Sequence, residues 1–125
     1  MIYYGNWATN AIDLTNAFVS GLSATGWNGI NKRYYYAASS SSPKTYVTNF
    51  ILGGSVKDSY SLGSSLSGNA VLNIVQRQLN LGTFAVDADA LYIVAVSKDV
   101  TESYGSGSNL CGAYCGYVLF DNYFY

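Results

Sequence analysis

Apolar and polar positions along the chain follow two periods. Ile2-Tyr3-Tyr4 opens an aromatic run that reads as a strand from Ile2 to Trp7, closed by Gly5-Asn6. Leu14, Phe18 and Leu22 then recur at i, i+4 and i+8, which predicts a helix capped by Thr9 or Asn10 and reaching Gly21, with Trp27 and Ile30 packed beneath it. Arg33–Ala38 and Thr45–Leu52 are β-rich runs on either side of a serine-rich loop, the pattern of a hairpin with a long connection. Ser61–Gly68 is turn-rich and carries the cap of a second helix, whose face is Val71, Ile74, Val75 and Leu79 and whose stop is Gly82. Ala90–Val96 is the most apolar run and reads as a central strand buried on both faces. A last strand is expected over Tyr117–Phe120, extending towards Tyr125.

The order is therefore β-α-β-β-α-β-β: an α/β (α+β) fold in which a mixed β-sheet carries two packed helices. With no linker or internal repeat, residues 1–125 read as a single domain.

Charge changes the picture more than size does. Only 10% of the residues are charged, against about 25% in an ordinary domain. A net charge of −1 leaves no footprint for nucleic acid or an anionic membrane. No segment approaches the ~18 apolar residues of a membrane span. Met1–Gly5 has neither the charged nor the apolar region of a signal peptide. A surface of Ser, Thr, Asn, Gly and Tyr suits an extracellular location, a glycan-facing role, or a subunit covered by its neighbours.

The chain has no histidine, which removes the usual general base and the commonest zinc ligand, and no catalytic metal or cofactor is expected. Ser-His-Asp and Cys-His triads cannot be built from it. Asp87 and Asp89 precede the apolar strand and Asp99 and Glu102 follow it, roughly 20–30 Å apart at the rise of a strand, so they are expected to serve turns rather than one acid–base site. The glycine pairs lack the Gly-Lys-Ser/Thr of a phosphate loop. Cys111 and Cys115 are too few for a zinc site and lack redox Cys-x-x-Cys spacing. A local disulfide in an oxidising compartment is the first reading for them, and two free buried cysteines are the other.

Tyrosine supplies 13 residues. A Tyr has an apolar body and a polar tip and works half-buried, at interfaces or against sugars. Alternation sends neighbouring strand residues to opposite faces, so Tyr3-Tyr4, Tyr34-Tyr35-Tyr36 and Tyr123-Phe124-Tyr125 predict aromatic rings on both faces that want cover. These eight are the expected assembly surface. The serines from Ser39 to Ser42 form a flexible loop that can also accept O-linked sugar.

Several segments carry a resemblance. They are Ile2-Tyr3-Tyr4-Gly5-Asn6-Trp7, Trp27 with Ile30-Asn31, Gly53-Gly54-Ser55-Val56, Asp58-Ser59-Tyr60-Ser61-Leu62-Gly63-Ser64-Ser65-Leu66-Ser67, Asp89-Ala90-Leu91-Tyr92-Ile93-Val94, Asp99-Val100 and the Cys111/Cys115 stretch. In this order they resemble the exordium / phosphate-induced protein 1 family of secreted, cell-wall-associated proteins. Microbial members resemble a Phe-Cys-x-x-x-Cys-Gly-Trp-His pattern; here Val118 stands at the histidine position. Longer members continue into a His-Glu-Leu helix similar to a zincin metal site. The resemblance thus implies the sheet-bearing N-terminal half of such a domain, an extracellular location and the Cys111–Cys115 pairing.

The expected function is a secreted, non-enzymatic structural protein that self-assembles, as a filament or a cell-wall component, with copies of itself as partner. The alternatives are a carbohydrate-binding wall module, with glycans as partner, and a degenerate zincin-like half.

Overall fold

The computed structural model describes residues 1–103 and 109–119. In chain order the elements are β1 (Ile2–Tyr4), α1 (Thr9–Leu22), α2 (Gly26–Asn31), β2 (Tyr35–Tyr36), β3 (Thr45–Tyr46), β4 (Val56–Asp58), β5 (Ser65–Ser67), α3 (Ala70–Asn80), β6 (Val94–Val96) and β7 (Thr101–Ser103). The α+β class holds, with helices beside several small sheets. The strands do not join into one mixed sheet: they form a three-stranded sheet in the order β4-β1-β6, a β2-β3 pair and a β5-β7 pair. The helix α2 and the strands β4, β5 and β7 are additions to the expected order. Two compact units lie within the span read as one domain: Met1–Ala8 with Gly54–Tyr125, and Thr9–Gly53.

In the first unit, β1 lies between β4 and β6 and runs parallel to both, with Ile2 opposite Val56 and Val94 and Tyr4 opposite Asp58 and Val96. A parallel strand covered on both faces reads as a continuous apolar run, and Ile2-Tyr3-Tyr4 is one. Its flanks are bonded too. Ile2 N–H donates to Ile93 O at 2.8 Å, Val56 N–H to Met1 O at 3.0 Å, and Ser97 N–H to Tyr4 O at 2.9 Å.

The core is Ile2, Tyr4, Leu66, Ile74, Val75, Leu79 and Val100, with Val56, Tyr60, Phe84, Tyr92, Val94 and Val96 packed around it. The helix α3 supplies the face expected of it, although Val71 is only half-buried. Its chain turns away at Gly82, whose φ of +70° is open to glycine without strain. The Ala90–Val96 run narrows to β6, and its three residues are half-buried rather than fully covered. No strand forms over residues 117–119, and residues 120–125 lie outside the described residues.

In the second unit, α1 matches the expected span to within a residue. Its inward stripe is different. Ile12, Thr15 and Val19 are half-buried, whereas Leu14 and Phe18 are exposed. The helix carries two apolar stripes, and the period alone does not choose between them. Trp27 and Ile30 do not pack beneath it; both lie at the surface, on α2. The hairpin forms in the expected place but is short, with Tyr35 opposite Tyr46 and Tyr36 opposite Thr45.

Candidate binding site

The Asp58–Gly63 segment folds into a polar clamp at the carboxyl ends of the parallel strands. Asp58 is buried, and it accepts from Ser61 N–H at 2.9 Å, Ser61 Oγ at 2.7 Å and Gln78 Nε2 at 3.1 Å. The Tyr4 hydroxyl accepts from Leu62 N–H and donates to Gly63 O, both at 2.8 Å. Burial raises the Tyr4 phenol above its ordinary value. The crevice beyond strand ends is where open α/β sheets bind ligands. Here it is filled by the chain's own groups.

A second part of the clamp joins β1 to the turn after β6. Asn6 N–H donates to Ser97 Oγ at 2.9 Å, Ser97 Oγ donates to Asp99 Oδ1 at 2.6 Å, and the Tyr60 hydroxyl donates to Asp99 Oδ2. The bond to Asp99, then desolvation, raises the Tyr60 phenol, while the bonds from Ser97 and Tyr60 lower the Asp99 carboxyl. The pair therefore stays a neutral donor on an ionised acceptor. Tyr60 itself holds a φ of +62°, uncommon for a bulky residue, and the clamp keeps it there.

Glu102, on β7, is buried and accepts from the hydroxyls of Tyr114 and Tyr117, the latter at 3.2 Å. The two rings meet edge to face at 5.6 Å. This pairing holds the cysteine-bearing turn to β7. The expected Cys111–Cys115 bridge is not formed in this structure: both are free, exposed thiols. Backbone bonds close the turn instead, from Gly112 N–H and Ala113 N–H to Asn109 O at 3.1 and 2.9 Å. No group of three or more Cys, Asp or Glu side chains gathers as a metal site among the described residues.

The expected aromatic surface divides. Tyr3 and Tyr4 are 0% exposed, which removes them from it. The reason is topological: β1 is the centre of its own sheet, not a free edge, and the Tyr3 ring lies edge-on to Trp7 at 5.3 Å. Tyr34, Tyr35 and Tyr36 are exposed. Tyr123, Phe124 and Tyr125 lie outside the described residues.

At the hairpin, Tyr35 and Tyr46 pair across the strands at 5.5 Å between ring centroids, and the Lys44 ammonium lies 4.3 Å from the Tyr35 centroid. Ser39 Oγ bonds Ser42 Oγ at 2.7 Å and Ser41 Oγ at 3.2 Å, which folds the loop back. Tyr35, Tyr36, Ser39, Ser40, Ser42 and Lys44 line a recess of about 440 Å³. Neither Lys44 nor the recess was foreseen from the sequence; the signal was a cation two residues before a strand tyrosine, on the same face. No family model, curated protein or solved structure matches the chain.

Proposed function

We propose that the chain is a secreted, non-enzymatic structural protein that assembles with copies of itself, in a filament or a cell-wall or matrix layer. One observation carries this reading. In the Thr9–Gly53 unit Asn28 is the only buried residue among those described, while Phe18 is 63%, Trp27 56% and Ile51 86% exposed. Apolar surface of this kind marks a contact, and covering it contributes roughly 25 cal/mol per Å².

Charge favours a second copy as the cover. Thr9–Gly53 carries Lys32, Arg33 and Lys44 against Asp13, a net of +2. The other unit carries Lys57, Arg77 and Lys98 against Asp58, Asp87, Asp89, Asp99, Glu102 and Asp121, a net of −3. A head-to-tail contact sets opposite signs together, whereas a two-fold contact through Thr9–Gly53 would set like charges together. Head-to-tail contacts that do not close give filaments. Exchange of the N-terminal strand has no part in this reading, since β1 is already paired on both sides. The extracellular location rests on the sparse charge and on the exordium-like segments.

Replacing Leu14 and Phe18 together by Ser tests the reading. Both side chains are exposed, so the fold is kept, and light scattering should fall to the monomer value. Unchanged assembly in the double variant overturns the role of this face.

A further inference from the structure

We propose that the hairpin recess is a binding site for an anionic saccharide, such as a hexuronate unit of a polymer. The inference goes beyond self-assembly and does not depend on it. A recess of about 440 Å³ lies within the ordinary range for small ligands. Its walls supply three different kinds of contact. The exposed ring of Tyr36 offers an apolar face for the C–H side of a sugar ring, and Tyr35, whose ring carries Lys44, borders it. The hydroxyls of Ser39, Ser40 and Ser42 can donate to and accept from sugar hydroxyls, and the bonds from Ser39 to its neighbours already hold part of that set in place.

Lys44 adds the sign of the charge. Its ammonium rests by the Tyr35 ring and pairs with no carboxylate among the described residues. Asp13 is the single acidic residue of the Thr9–Gly53 unit. An anion entering the recess therefore meets a cation held by the Tyr35 ring, with no carboxylate to displace among the described residues. A neutral sugar would leave that charge unused.

Calorimetric titration of the full chain with a hexuronate trimer tests the site, with the neutral hexose trimer and inorganic sulfate as controls. The hexuronate should bind about tenfold or more tightly than the neutral trimer, and less tightly as salt is raised. Lys44→Gln and Tyr36→Ser should each lose about tenfold in affinity, while Lys44→Arg keeps it. Both positions are exposed, so unchanged circular dichroism confirms that the variants fold. Absence of binding, equal binding of the neutral trimer, parent-like affinity in Lys44→Gln, or a sulfate affinity equal to that of the trimer would each overturn the proposal.

Discussion

The side-chain amide of Gln78 donates to the buried carboxylate of Asp58 at 3.1 Å and ties α3 to the end of β4. The same amide accepts from Thr83 Oγ1 at 3.0 Å, so one side chain satisfies two neighbours. Gln78→Leu strips Asp58 of its side-chain donor from α3 and Thr83 of its acceptor. Leaving a buried charged acceptor short of a bond costs about 1–3 kcal/mol. Urea denaturation should show that loss, and an unchanged midpoint would mean that the Ser61 bonds alone satisfy Asp58.

Gly5 follows β1 with a φ of +98°, and a Cβ placed there would stand 2.0 Å from Ser97 Oγ and 2.9 Å from Val100 Cγ2. Gly5→Ala thus meets backbone strain and a collision with a residue held by its own hydrogen bonds. A loss of about 3 kcal/mol is expected from the two together. Adding Ser97→Gly should recover part of it, because the nearest obstruction is then gone. Equal stability of Gly5→Ala and the parent would contradict the close approach of these two turns.

Stability should depend on pH at both ends of the scale through Tyr60 and Asp99. The Asp99 carboxyl is lowered from its ordinary 3.8, so its contribution is present above that value and is lost as pH falls through the lower, folded one. The Tyr60 phenol is raised from its ordinary 10.0, so its contribution is present below that value and is lost as pH rises towards the higher, folded one. Tyr60→Phe should remove this alkaline component and weaken the acid one. A denaturation series that is identical for parent and variant across both limbs would contradict the pairing.

Glu102 binds the Tyr114 and Tyr117 hydroxyls to β7, and a hydrogen bond to a charged group contributes about 1.5–3 kcal/mol. Glu102→Leu should cost about 2 kcal/mol and speed proteolytic cleavage in the Asn109–Tyr117 stretch. Tyr117→Phe, losing the longer bond alone, should cost less. Cleavage at the parental rate would show that the backbone bond from Leu110 N–H to Glu102 O holds the segment by itself.

What the sequence made legible depended on the range of the forces involved. The helix α3 was readable because Ile74, Val75 and Leu79 repeat at its period and Gly82 stops it, both local signals. The hairpin was readable from two β-rich runs. Ser65–Ser67 and Thr101–Ser103 were not, since they are polar and become strands only by pairing with each other across the chain. Tyr3 and Tyr4 misled for a related reason. Alternation tells which face a ring takes, but not whether its strand is an edge or a centre. The clamp segment lay within the resemblance and Asp99 was marked as a turn residue after the apolar strand, but their meeting was not legible, and Gln78, distant in sequence, had no local mark. Leu14 and Phe18 gave a correct helix and the wrong inward face, because Ile12 and Val19 offered a second stripe.

Sedimentation velocity of the unaltered chain over a range of concentrations tests self-assembly most directly. The account predicts a distribution that shifts to larger species as concentration rises, without settling on one closed oligomer, and that retreats when salt screens the opposed charges of the two units. A single monomer boundary, unchanged up to tens of micromolar, would contradict it.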